Sequence, residues 1–184
     1  MGTVLVVCIL SLVGLSLGLA VFRFARGFRA FWKARGKRLV TCPETHRAAA
    51  VELDATSAGL KAFRGGECLR LQHCSRWPER HDCAKDCRAQ VKSLGQACLV
   101  PNVVAGWSRG KVCAYCHKPV DNVADWTSRM SALRGRDSKT VWWDAVPPQN
   151  LPALFTTCQP VCWSCQTGEI FRQDHPELVA KWCR

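Results

Sequence analysis

Residues 4–22 carry no charged side chain (VLVVCILSLVGLSLGLAVF), a run of 19 residues. At a helical rise of ~1.5 Å per residue it extends about 28 Å, enough to cross a bilayer core. A secretory signal fits less well, because no positive charge precedes the run and no small-x-small site closes it. The charge comes afterwards: Arg23, Arg26, Arg29, Lys33, Arg35, Lys37 and Arg38 follow with no acid before Glu44. The positive-inside rule then places everything beyond the span in the cytoplasm.

That orientation changes how the 13 cysteines read. Cytosolic thiols stay reduced, so a dense cysteine set there points to metal ligands before disulfides. The strongest pattern is Cys113-Ala-Tyr-Cys116 with Cys162-Trp-Ser-Cys165, two C-x-x-C pairs that match a four-thiolate zinc site. Two intervening residues let both sulfurs of one turn reach a single ion at ~2.3 Å. The second pair falls where a helix should begin, and the free N–H groups there stabilise thiolates. Knuckle, hairpin and helix-borne pair together resemble a treble-clef or zinc-ribbon finger.

A looser set is Cys42, Cys74, Cys83 and Cys87. Cys83 and Cys87 share one face of an expected helix, and the irregular spacing suits zinc or an iron–sulfur cluster; small apolar core residues are the plainer alternative. Cys68, Cys98 and Cys183 are among the cysteines left over, and His46, His73 and His81 lie nearby as reserve ligands. Cys113 to His117 also spells C-x-x-C-H, the haem-attachment pattern, but a cytosolic setting opposes it and the second C-x-x-C pair accounts for these cysteines better.

Two features accompany the span. Gly14 and Gly18 form G-x-x-x-G, which suits a homodimer or ordinary glycine use in a membrane helix. Phe24, Phe28, Phe31 and Trp32 recur at helical spacing among Arg23, Arg26, Arg29 and Lys33, as expected of a segment lying against lipid headgroups.

The net charge of +12 and a pI near 9.4 raise the possibility of nucleic acid as a partner. Seven of the 26 basic residues lie in the juxtamembrane segment, however, and beyond Arg38 there are 19 basic and 14 acidic residues. Two divalent ions held by eight thiolates would bring that part to about +1, a poor phosphate binder.

The expected fold is α+β: a transmembrane helix over 1–22, a basic aromatic segment over 23–40, a β-β-α unit over 41–100 and a zinc-finger-like unit over 101–184. Ala49–Asp54 and Leu69–Cys74 read as strands, Leu60–Phe63 as a helical turn and Glu79–Leu94 as a helix stopped by Gly95. Trp126 and Thr140–Trp143 read as strand pieces, Asn150–Phe155 as a short helix, and a last helix starts near Cys162. The stretch around Pro101 and Gly106 reads as the boundary between the units. No G-x-S-x-G, P-loop or H-E-x-x-H motif is present, and a site closed by four thiolates leaves no open position for catalysis.

The segments TCPETHRAAAVELD, HCSRWPERHDCAKDC, CAYCHKP and PVCWSCQTGEIFRQDHPELV resemble a family of small bacterial single-span, cysteine-rich, membrane-anchored proteins with no assigned activity. The resemblance covers nearly all of the soluble part. It implies a bacterial inner-membrane setting and the eight ligands named above, and it leaves Cys68 out. The family more often has glycine where His117 stands, a further argument against haem. The expected function is a membrane-anchored cytosolic zinc-binding scaffold without catalysis, with membrane lipid and an unidentified protein as partners. An iron–sulfur redox or sensing protein is the first alternative and a nucleic-acid-binding finger the second.

Overall fold

The computed structural model describes residues 2–79, 83–120, 130–137 and 139–174. They form six α-helices and two three-stranded sheets, one ordered β1 (Lys37–Thr41), β2 (Ala48–Leu53), β3 (Leu71–Cys74) and the other β5 (Thr140–Trp142), β4 (Met130–Arg134), β6 (Gln159–Cys162). The chain divides into two compact units, one of residues 1–37 and 51–96 and the other of 38–50 and 97–184. The sequence boundary near Pro101 and Gly106 is not a linker: both residues lie within α4 (Val100–Ser108), with the proline in its first turn. Proline is tolerated there because the first turn has no intrahelical partner for its missing N–H.

The first unit begins with α1 (Gly2–Ala34), 33 residues and about 50 Å of continuous helix. It is long and apolar enough to cross a membrane, and its most apolar window is wholly uncovered by the rest of the protein. The helix continues from the span through the juxtamembrane residues as far as Ala34, in keeping with the helical spacing of Phe24, Phe28, Phe31 and Trp32, because nothing between Phe22 and Ala34 stops it. α2 (Ala55–Phe63) packs on the last third of α1. Gly27 and Gly59 set that contact: a Cβ on Gly27 would sit 3.0 Å from the Gly59 carbonyl oxygen, and one on Gly59 would sit 3.1 Å from Phe31 Cβ. The Phe31 Cβ lies against Gly59 while its ring meets Trp32 at 6.0 Å, so the four rings form one contiguous row as expected, with Phe24, Phe28 and Trp32 exposed and Phe31 half-buried.

Asp54 caps α2, accepting hydrogen bonds from the Ser57 N–H at 2.9 Å and the Ser57 hydroxyl at 2.6 Å. Those bonds hold its carboxyl below the usual 3.8. A depressed folded-state value stabilises the helix at neutral pH and is lost as pH falls through the acid range. The protection factors of the α2 amides, which already allow for the intrinsic pH dependence of exchange, should therefore fall in acid, and Asp54→Asn, a neutral cap, should remove that fall.

Downstream, the second half of β2 (Ala48–Leu53) pairs antiparallel with β3 (Leu71–Cys74), Val51 opposite Cys74. The expected helix over Glu79–Leu94 is shorter, α3 running Cys87–Leu94; Gly95 ends it at φ 56°, as expected, and 80–82 lie outside the described residues.

In the second unit, β4 (Met130–Arg134) is the central strand, antiparallel to both β5 (Thr140–Trp142) and β6 (Gln159–Cys162). A 3-10 turn at Pro148–Asn150 leads into α5 (Leu151–Thr157), and α6 (Trp163–Asp174) follows β6 directly. The core joins Val100 and Val104 of α4 to Val120, Met130, Ala132, Leu133, Leu151 and Val161. The expected strand at Trp126 falls outside the described residues, as do His81 and Cys183.

Candidate metal centre

The first C-x-x-C pair sits on a tight turn closed by a bridge between Val112 and Pro119. The Cys113 N–H donates to the Lys118 carbonyl at 2.9 Å and the His117 N–H to the Cys113 carbonyl at 3.0 Å. His117 takes φ 57°, the left-handed conformation that turns the chain back. The Ala114 N–H donates to the Pro160 carbonyl at 2.9 Å and anchors the turn to β6. The second pair straddles the junction of β6 and α6, Cys162 ending the strand and Cys165 in the first turn of the helix.

These elements bring the four sulfurs within 4.8 Å of one another. Cys116 Sγ lies 3.8 Å from Cys162 Sγ. A tetrahedral ion with arms of ~2.3 Å has edges of about 3.8 Å, so this pair already has the separation an ion requires. Cys113 and Cys162 are buried, and Cys116 and Cys165 half-buried.

The surroundings treat the thiols unequally. Burial pushes the Cys113 thiol up, but N–H groups of Cys116, Cys162 and Tyr115 outweigh it and bring the thiol down to about 7. One of these bonds is seen directly, from Cys162 N–H to Cys113 Sγ at 3.4 Å. Burial, reinforced by neighbouring sulfurs, pushes Cys165 up, and burial also raises Cys162. Cys113 is therefore the first thiolate, and a divalent cation would supply the positive charge that lets the others ionise.

An aromatic frame supports the site. The Arg134 guanidinium lies 4.6 Å from the centre of the Tyr115 ring, and the Tyr115 hydroxyl is 3.1 Å from Thr140 Oγ1. Trp163, between the two cysteines of the second pair, meets Trp142 at 5.5 Å between ring centres.

The other expected set is not gathered in this way among the described residues. Cys42 belongs to the second unit, and Cys74, Cys83 and Cys87 to the first. Cys74 ends β3 and the buried Cys87 opens α3. Both sit where strand and helix packing suits a small apolar side chain. Cys42 is different. Its N–H donates to the Arg47 carbonyl and the His46 N–H returns to the Cys42 carbonyl, each at 2.8 Å, with His46 at φ 53°. The turn over 42–47 thus repeats the backbone bonding of 113–118, with Thr45 where Cys116 stands. The Thr45 hydroxyl and the N–H groups of Thr45 and Glu44 lower the Cys42 thiol, against the opposing effect of burial. The signal was legible as C-x-x-T-H-R beside C-x-x-C-H-K, but a search for paired cysteines passes over it.

Cys98 is buried beside the equally buried Arg38, where burial raises its thiol and the guanidinium acts in the opposite sense. Cys158, which sequence reasoning did not single out, is half-buried against the core at the end of α5 and is not one of the four gathered sulfurs.

No family model, no curated protein and no solved structure matches this chain.

Proposed function

We propose that this chain is a single-pass inner-membrane protein whose second unit is built around a structural zinc ion and serves as a cytosolic interaction module without catalysis. The observation that carries the reading is the convergence of Cys113, Cys116, Cys162 and Cys165 within 4.8 Å. Four thiolates favour zinc or a single iron over harder cations, and they fill all four tetrahedral positions. A knuckle on a hairpin and a second pair at a strand–helix junction support a treble-clef-like or zinc-ribbon-like arrangement. The exposed Trp163 and its neighbour Trp142 supply an apolar patch beside the site for a protein partner. Membrane anchoring is supported by the uncovered apolar length of α1 and by the cations that follow it, suited to anionic headgroups. The resemblance to small membrane-anchored bacterial proteins agrees with that setting.

The test is elemental analysis with an absorption spectrum on the full chain, purified anaerobically in detergent without added metal. The expected result is colourless protein with about one zinc per chain, the number of four-thiolate groups the geometry supports. A second zinc would bring in Cys42, Cys74, Cys83 and Cys87. Iron with matching sulfide and absorption in the visible would move the function to redox chemistry or sensing. Protein that is folded and free of metal would overturn the proposal.

A further inference from the structure

The first unit carries an open cavity of about 630 Å³. That is the size of a small-molecule site, far more than one water or ion requires. Two stretches of chain supply its walls. One is the approach to β3, where Leu69 and Leu71 stand on either side of Arg70, whose carbonyl accepts from the Asp54 N–H at 2.9 Å. The other brings Trp77, Lys85 and Arg88. Leu69, Leu71 and Trp77 give the cavity an apolar part.

Charge is divided unevenly between the walls. The first holds Asp54, Glu67 and Arg70. Ser57 donates to both Asp54 oxygens, and the positive charge of Arg70 acts on the same carboxylate. The second wall holds Lys85 and Arg88 and no acid, because Asp86, between them in sequence, does not line the cavity. Among the described residues neither Lys85 nor Arg88 forms an ion pair with a carboxylate.

The local fold opposes two cations at this place. They flank Asp86, the N-cap of α3, at the end of a helix that disfavours positive charge. Like charge three residues apart adds repulsion. Lys85 also takes φ 61°, a left-handed conformation uncommon for a residue with a Cβ. The backbone holds the pair in register all the same. The Arg88 N–H and Nε both donate to the Lys85 carbonyl, at 3.1 and 3.2 Å, and the Lys85 ammonium lies 5.6 Å from the centre of the Trp77 ring. Two cations set side by side on a cavity wall, where helix, charge and backbone each oppose them, make a place that an anion completes.

We propose that this cavity binds a small organic phosphate, with the phosphate on Lys85 and Arg88 and the organic part against Trp77, Leu69 and Leu71. The two cations match the charge of about −2 that a phosphate monoester carries at neutral pH, and the planar fork of Arg88 suits its oxygens. The site lies within the first unit and does not depend on the metal reading. A free phosphate ester and the headgroup of phosphatidic acid share this chemistry.

Cys68 lines the same cavity, half-buried, and can report on its occupancy. The experiment is alkylation of the full chain in detergent by iodoacetamide, read by peptide mass mapping, with phenyl phosphate as the probe. Phenyl phosphate should slow alkylation of Cys68 several-fold and leave Cys158, half-buried outside the cavity, unchanged. Inorganic phosphate, which lacks the ring, should need a roughly tenfold higher concentration. Lys85→Asn with Arg88→Gln should abolish the protection. Asparagine accepts the left-handed backbone, and α3 amides that stay protected from exchange would separate lost binding from lost fold. Arg88→Lys keeps the charge without the fork and should weaken protection several-fold, which carries the test if α3 loosens in the double variant. Chain in phosphatidylcholine vesicles with and without phosphatidic acid separates the two sources. Protection by phosphatidic acid and not by phenyl phosphate assigns the cavity to a lipid headgroup, and the reverse assigns it to a soluble ester. Cys68 alkylated at the same rate with either probe overturns the proposal. Protection that survives Lys85→Asn with Arg88→Gln overturns the assignment of the phosphate to these two cations.

Discussion

Chelating the metal from the full chain should unfold the β5-β4-β6 half of the protein, and restoring zinc should refold it. The size of the effect follows from where the four cysteines sit. Cys113 and Cys162 are part of the core that also contains Met130, Ala132, Leu133 and Val161. A structural zinc site contributes about 10–16 kcal/mol of apparent binding energy, whereas a whole domain is stable by about 5–15 kcal/mol. Without the ion, four sulfurs remain crowded within 4.8 Å, two of them buried, with Cys162 and Cys165 holding their protons. Hydrogen exchange of the β4 and β6 amides reads this locally and should rise to unprotected rates on chelation. Cys113→Ser with Cys162→Ser should give the same result, although buried hydroxyls add a cost of their own. Chelation of the unmodified chain avoids that complication. Cys158→Ser is the control, because that half-buried cysteine stands outside the group. If protection in β4 survives chelation, the metal is not structural.

The same chemistry fixes the sign of the pH dependence. Cys162 and Cys165 are raised, so each must give up a proton when the ion binds. Every proton released makes binding about tenfold stronger per pH unit. Metal affinity should therefore fall steeply on acidification, more steeply than the Cys113 thiol, already at about 7, would produce alone.

The gathering of Cys113, Cys116, Cys162 and Cys165 was legible because C-x-x-C is a local rule: two residues between cysteines suffice to put both sulfurs on one turn. The strand–helix junction at Cys162 was legible for a similar reason. The continuation of α1 past Arg23 was legible in the helical spacing of Phe24, Phe28, Phe31 and Trp32, but its end at Ala34 was not. The close approach of α2 to α1 was hidden as well, because Gly59 is 32 residues away from Gly27 in sequence. The set of Cys42, Cys74, Cys83 and Cys87 shows the opposite limit. Irregular spacings need tertiary structure to bring them together, and nothing in the sequence says which pieces of chain meet. The helix across Pro101 illustrates a third: proline reads as a break until its place in the first turn is known.

Glycine substitutions should separate the two kinds of helix in this protein with opposite signs. Gly106 lies in α4 with nothing within 4 Å of an added Cβ. Gly106→Ala should therefore stabilise the second unit by about 0.5–1 kcal/mol, the ordinary gain in helix propensity. Gly59 gains the same propensity but has no space. Its Cβ would meet Phe31 Cβ at 3.1 Å and the Gly27 carbonyl oxygen at 3.2 Å, neither of which can swing aside, since one is fixed to the backbone and the other is backbone. Gly59→Ala should be close to neutral or mildly destabilising, the propensity gain offset by a shift of a few tenths of an ångström. Gly59→Leu has no such compromise and should cost at least ~1–3 kcal/mol, the usual range for overpacking. It would force α2 off α1, and the packing between these helices is the main support of Ala58, Gly59 and Ala62, the buried face of α2. Exchange of the Ala55–Phe63 amides should then approach that of an isolated nine-residue helix, which is too short to persist in water. Protection in β4 should be unchanged in the same sample. If Gly59→Leu leaves α2 protected, the close approach of the two helices is wrong.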